Sequence, residues 1–166
     1  MYKNDELSEF ESILTKIPDA WANIRGSEAY PSLMGIARFY NTPYGTLAAV
    51  EVEGLPAQTN ACNDPIFAVH VHEGDTCTGN ADDPFANTRT HYNPNGCPHP
   101  YHAGDMPPIL GANGRAFSVF LTDRFTADEI VGRTIIIHST PDDFTSQPSG
   151  NSGMKIACGE IMGRRR

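Results

Sequence analysis

All six histidines of the 166-residue chain fall between positions 70 and 138: His70, His72, His91, His99, His102 and His138. His70 and His72 sit two apart in the apolar run Ile66–Glu73, so in a strand both imidazoles project from one face while Val71 takes the other. Two rings on one face can share a metal ion. An isolated His-x-His pair is more often a solvated strand face, but this pair has company. His138 closes a second apolar run, Ile135-Ile136-Ile137-His138, and His91, His99, His102 and Asp105 lie in the loop-rich stretch between the two runs. Neutral imidazoles and a carboxylate that close together suit a zinc-type site, since a loop can wrap them into a tetrahedron. The number of ligands is enough for a second metal.

The elements that must hold these rings follow from the hydrophobic period. Leu7, Phe10, Ile13, Leu14 and Ile17 recur every three or four residues from Asn4 to Ile17, the stripe of one amphipathic helix, which Pro18 ends. Beyond it the period is two over Ala20–Ile24, Leu33–Tyr40 and Thr46–Val52, three strands bounded by Gly, Pro and Asn, and Ile66–Glu73, Ala116–Leu121, Thr134–Ser139 and Lys155–Ile161 carry further strand character, seven in all. Asn41-Thr42-Pro43-Tyr44-Gly45 suits a tight reversal and predicts a hairpin between the second and third. Gly74 to Gly114 is far longer than an ordinary connection, which marks it as functional or cross-linked. Thr126–Ile130 reads as a helix-like turn, and Phe117 as a core residue. The sum is an antiparallel all-β domain, sandwich or barrel, in one unit.

Composition narrows the function. The chain has 20 acidic against 12 basic side chains, a net charge of −8, which argues against nucleic acid or an anionic membrane as the main partner. No apolar run approaches the length of a bilayer span, and the start MYKNDELSEFESIL lacks the pattern of a signal peptide. Four cysteines, Cys62, Cys77, Cys97 and Cys158, allow three full pairings, and no Cys-x-x-Cys motif points to thiolate metal binding.

From about Ala20 to Ile161 the chain resembles the copper-zinc superoxide dismutase family, of the bacterial type with a short zinc loop. The resemblance rests on His-Val-His-Glu (70–73), Thr-His-Tyr-Asn-Pro (90–94), His-Ala-Gly-Asp (102–105), Ile-Ile-His-Ser-Thr-Pro-Asp-Asp (136–143) and Gly-Asn-Ser-Gly-Met-Lys-Ile-Ala-Cys-Gly (150–159). It implies copper on His70, His72, His91 and His138, and zinc on His91, His99, His102 and Asp105, with the His91 ring shared. It further implies that Asp142 orients one histidine of each group by hydrogen bonds. Lys155 stands where the family usually has arginine, which keeps the charge and loses the planar fork. Only Pro100 and Tyr101 separate His99 from His102.

The implied activity is dismutation of superoxide by alternating reduction and oxidation of copper, with His91 as proton donor and Lys155 attracting the anion. A copper or zinc carrier, or a chaperone-like domain on the same sandwich, is the alternative, and such relatives lack part of the copper set. A cupin fits less well, because Glu73 directly follows the histidine pair and points away. The implied fold is an eight-stranded antiparallel Greek-key flattened barrel, immunoglobulin-like, after a short N-terminal helix, with the eighth strand placed near Arg89–Tyr92. The expected divisions are a helical extension over 1–18, the metal-binding domain over 19–163 and a basic tail over 164–166. The resemblance implies a bridge between Cys77 and Cys158 and leaves Cys62 and Cys97 as the second pair. Two disulfides suit a periplasmic or secreted protein, whereas the lack of a signal peptide suits the cytoplasm. A homodimer is compatible with the sequence.

Overall fold

The computed structural model describes residues 4–57 and 65–164. Helix α1 (Asn4–Leu14) is followed by strands β1 (Ala20–Gly26), β2 (Met34–Thr42), β3 (Gly45–Glu53), β4 (Ile66–Phe67), β5 (Val69–His72), β6 (Ile109–Leu110), β7 (Arg115–Thr122), β8 (Thr134–His138) and β9 (Lys155–Gly163). Seven of these form one antiparallel sheet in the order β5-β8-β9-β1-β2-β3-β7, and β4 pairs with β6 in a second. At Ala68, β4 runs directly into edge strand β5, while β6 leads through the Ala112–Arg115 bridge into the other edge strand, β7. The small sheet thus spans the two edges of the large one and closes a flattened barrel. Counting β4 and β5 as one interrupted strand gives the expected eight.

The position of the eighth differs from expectation. Around Arg89–Tyr92 there is only the single bridge His72–His91, and the eighth strand is Ile109–Leu110, two residues inside the stretch read as irregular. α1 stops at Leu14 rather than Ile17, because Pro18 disfavours helical backbone in the residue before it; Ile17 is exposed. The turn expected at Thr126–Ile130 is present over Ala127–Ile130. Phe117 is 66% exposed on β7, against the expectation of a core residue, while Phe125 is buried.

Alternation places the core. Ala20, Ala22 and Ile24 of β1, Val69 and Val71 of β5, and Ile135 and Ile137 of β8 point inside the barrel. His70, His72 and Ile136 take the opposite face, yet β5 and β8 are buried on both sides, because the long loops fold over that face. Phe85 from one loop packs there on Ile136 and Cys158. On the outside of the sheet, Phe10, Ile13 and Leu14 of α1 pack on Tyr40 and Leu47, so the helical stripe docks on the barrel. Leu7 lies where side chains are not described. Among the described residues no helix is long and apolar enough to cross a membrane.

Candidate metal centre

The β5–β8 pairing sets His70 opposite Ile136 and His72 opposite Thr134, while a bulge at the end of β8 sets His138 beside Lys155 of β9. The bridge between His72 and His91 brings the first loop histidine in, and a second between His70 and Asp105 brings the end of the loop in. All six rings therefore meet on the loop-covered face. They form two groups, His70, His72, His91 and His138, and His91, His99, His102 and Asp105. Within each group the available ligand atoms lie within 4.8 Å of one another, and His91 belongs to both.

Hydrogen bonds fix which nitrogen of each ring is spoken for. The Asp142 carboxylate accepts from His70 Nε2 at 2.8 Å with one oxygen and from His99 Nε2 at 2.9 Å with the other. The amide of Phe144 also donates to it. His72 Nδ1 donates to the Arg89 carbonyl at 2.9 Å, which turns its Nε2 to within 3.4 Å of His138 Nε2. His91 Nδ1 meets Asp105 Oδ1 at 2.7 Å. The residual atoms are informative. Among the described residues, His70 Nδ1, His91 Nε2 and His99 Nδ1 are buried without a hydrogen bond. His99 Nδ1 is 3.1 Å from Asp105 Oδ2 but misaligned for one. Buried polar atoms are rarely left unpaired, so unpaired ring nitrogens inside two such close groups are the signature of donors arranged for cations.

Electrostatics keeps these donors usable. Burial pulls His70 down to about 4 against the weaker opposing effect of its hydrogen bond to Asp142. His72 and His138 are pushed well below the ordinary histidine value by burial and by neighbouring rings, and His102 is lowered by burial. Burial acts to raise Asp142, but hydrogen bonds from His70, Phe144 and His99 outweigh it and hold the carboxyl at about 2. Asp105 is lowered in the same way, chiefly by His91 against its own burial. Neutral imidazoles beside ionised carboxylates are the protonation states a metal requires. The residues present fit two cations.

Several supports had no signal in the sequence. The Gln147 side chain makes a reciprocal pair with the His99 backbone, accepting from its amide at 3.0 Å and donating to its carbonyl at 2.7 Å. Arg124 donates to the Pro100 and His102 carbonyls, clamping the two-residue connection between His99 and His102. Gly150, at φ +67°, passes so close to Asp142 and His99 that a Cβ would overlap both. Its place in the Gly-Asn-Ser-Gly run was the one available hint. Cys77 and Cys158 form a disulfide, S–S 2.05 Å, across 81 residues of sequence. Cys97 has no disulfide partner among the described residues, and the expected pairing with Cys62 involves a residue outside them. Lys155 Nζ is engaged by Asp83 at 2.8 Å and by the Phe85 carbonyl at 3.1 Å.

Residues 33–161 match the family model for copper/zinc superoxide dismutase (SODC). Over 140 residues the chain is 34% identical to the extracellular Cu-Zn superoxide dismutase of Rattus norvegicus, covering 77% of this chain and 54% of that protein. It thus spans about half the length of that relative. It is 32% identical to the Cu-Zn superoxide dismutase of Deinococcus radiodurans, covering 75% of each. The fold is similar to the Cu/Zn superoxide dismutase from Brucella abortus, with a TM-score of 0.71 at 23% identity over 85% of this chain and 98% of that one.

Proposed function

The chain belongs to the copper/zinc superoxide dismutase family, and from that premise we propose that it converts superoxide to oxygen and hydrogen peroxide at the paired histidine groups. We assign copper to His70, His72, His91 and His138, and zinc to His91, His99, His102 and Asp105. The observation that carries the reading is the pair of buried groups, each with its ligand-type atoms within 4.8 Å of one another, that have the His91 ring in common. Copper held there would supply the one-electron redox chemistry that dismutation of superoxide needs.

The remaining roles belong to the side chains. His91 Nδ1 is held by Asp105, so its ring is fixed while the open Nε2 can take a proton and pass it to the departing peroxide. Asp142 keeps the protons of His70 and His99 on their Nε2 atoms, which leaves both Nδ1 atoms as donors. Lys155, beside His138, gives the anion a short-range contact, though Asp83 shares its charge. The carrier alternative expects a gap in the four-histidine group, and there is none. We assign this chemistry to residues 19–163, with 1–18 as a helical extension and 164–166 as a basic tail.

The disulfide fits an oxidising compartment, periplasmic or extracellular. A net charge of −8 sets nucleic acid and anionic membrane aside as partners. The test is metal content after loading, followed by superoxide consumption. The loaded protein should hold one copper and one zinc and consume superoxide, and His138→Ala should lose copper and activity together. Tight binding of both metals without activity would refute the assignment.

A further inference from the structure

The cations around the site are nearly all committed. Lys155 is paired with Asp83 and the Phe85 carbonyl, Arg124 with the Pro100 and His102 carbonyls, and Arg133 with the Glu73 and Glu129 carbonyls and the Tyr92 ring. Farther out on the sheet, Arg38 faces Glu51, and Arg115 faces Glu53. Arg89 is different. It is exposed, and its guanidinium has no hydrogen bond or ion pair among the described residues. It lies two residues before His91, and its own carbonyl holds the His72 ring at 2.9 Å.

Its backbone adds a second, independent observation. Arg89 has φ +61° and ψ −141°, conformational space that glycine enters freely and a Cβ enters only at a cost. The carbonyl that orients His72 needs this conformation; it does not need a side chain. A glycine would hold the carbonyl there with less strain, so the strain is borne for the side chain. The molecule as a whole repels an anion, with a net charge of −8, and an unpaired, permanently charged guanidinium on the exposed residue whose carbonyl holds His72 acts against that field.

The geometry points to Arg89, rather than Lys155, as the residue that steers the anionic substrate toward the histidine cluster. Lys155 is a short-range contact whose long-range field Asp83 largely cancels. This inference rests on the proposed superoxide chemistry of the same site. Arg89 is a steering residue, acting on encounter rather than on the reacting atoms.

A charge series separates steering from backbone strain, because the two rank the variants differently. Arg89→Lys keeps charge and strain, Arg89→Gly removes both, and Arg89→Glu reverses the charge and keeps the strain. The second-order rate constant for superoxide, measured on copper- and zinc-loaded protein at about 10 mM ionic strength, where screening extends about 30 Å, should be equal for wild type and Lys, lower for Gly and lowest for Glu. We expect Arg89→Gly to be slower by about threefold. The four should converge at about 1 M salt, where screening is about 3 Å. Azide binding to the copper(II)-loaded proteins, followed by visible absorption, should weaken in the same order. Thermal midpoints should instead put Arg89→Gly highest. If the variants share the wild-type salt dependence and azide affinity, Arg89 does not steer. If loaded wild type consumes no superoxide, the functional reading itself fails, a result the wild-type control shows before any variant is compared.

Discussion

At the scale of single residues, Asp142 carries the most structure per atom. Its two oxygens accept from two buried rings, one in each group, and the carboxylate has no exposed surface. Asp142→Asn keeps the shape but offers only one carbonyl oxygen. One ring must then face the amide NH2 and move its proton to Nδ1, the atom a metal needs. We expect metal affinity to fall about 10- to 100-fold, read by chelator competition, and apo-protein stability to fall by about 2 kcal/mol in urea unfolding. The histidine spacing was legible because strand period and ligand chemistry both act locally. Asp83, Gln147 and Arg124 were not legible, since each acts on a residue more than twenty positions away and is an ordinary polar side chain in its own stretch of sequence.

At the scale of elements, the strands that alternate clearly were readable, and the hairpin of β2 and β3 turns at Pro43-Tyr44 as the sequence suggests. The strand that closes the barrel was not, since two residues, Ile109 and Leu110, carry no period. β5 and β8 are the instructive pair. Each is buried on both faces, which hides the alternation, and only their loops explain where the second face goes. The Cys77–Cys158 bridge ties one of those loops to β9, and the Glu160 side chain accepts from the Cys77 amide beside it. Reducing the bridge frees a loop of 81 residues in the unfolded chain. On the chain-entropy model this costs about 4 kcal/mol. Thermal unfolding of the apo protein with and without reductant should show a lower midpoint when reduced, and Cys77→Ser should match the reduced wild type.

At the scale of the whole molecule, the buried histidines make the apo protein acid-sensitive. His70 ordinarily titrates near 6.5 but is held at about 4 by burial, so below 6.5 the unfolded chain gains a proton that the native state refuses. Stability is therefore lost as pH falls from 6.5 toward 4, by on the order of 3 kcal/mol for this group alone. Asp142 acts in the same direction at lower pH. Held at about 2 against an ordinary 3.8, its contribution is present above 3.8 and lost as pH falls through 2. Urea midpoints of the apo protein at pH 7.5, 5.5 and 4 should decline in that order, and a flat profile would contradict the burial of neutral rings. The same carboxylate has one more consequence. Because a single aspartate anchors a donor from each group, whatever stiffens His99 also stiffens His70, and linkage makes the help mutual. Occupancy of either half prepares its neighbour, so the two ions should load as a cooperative pair rather than as strangers.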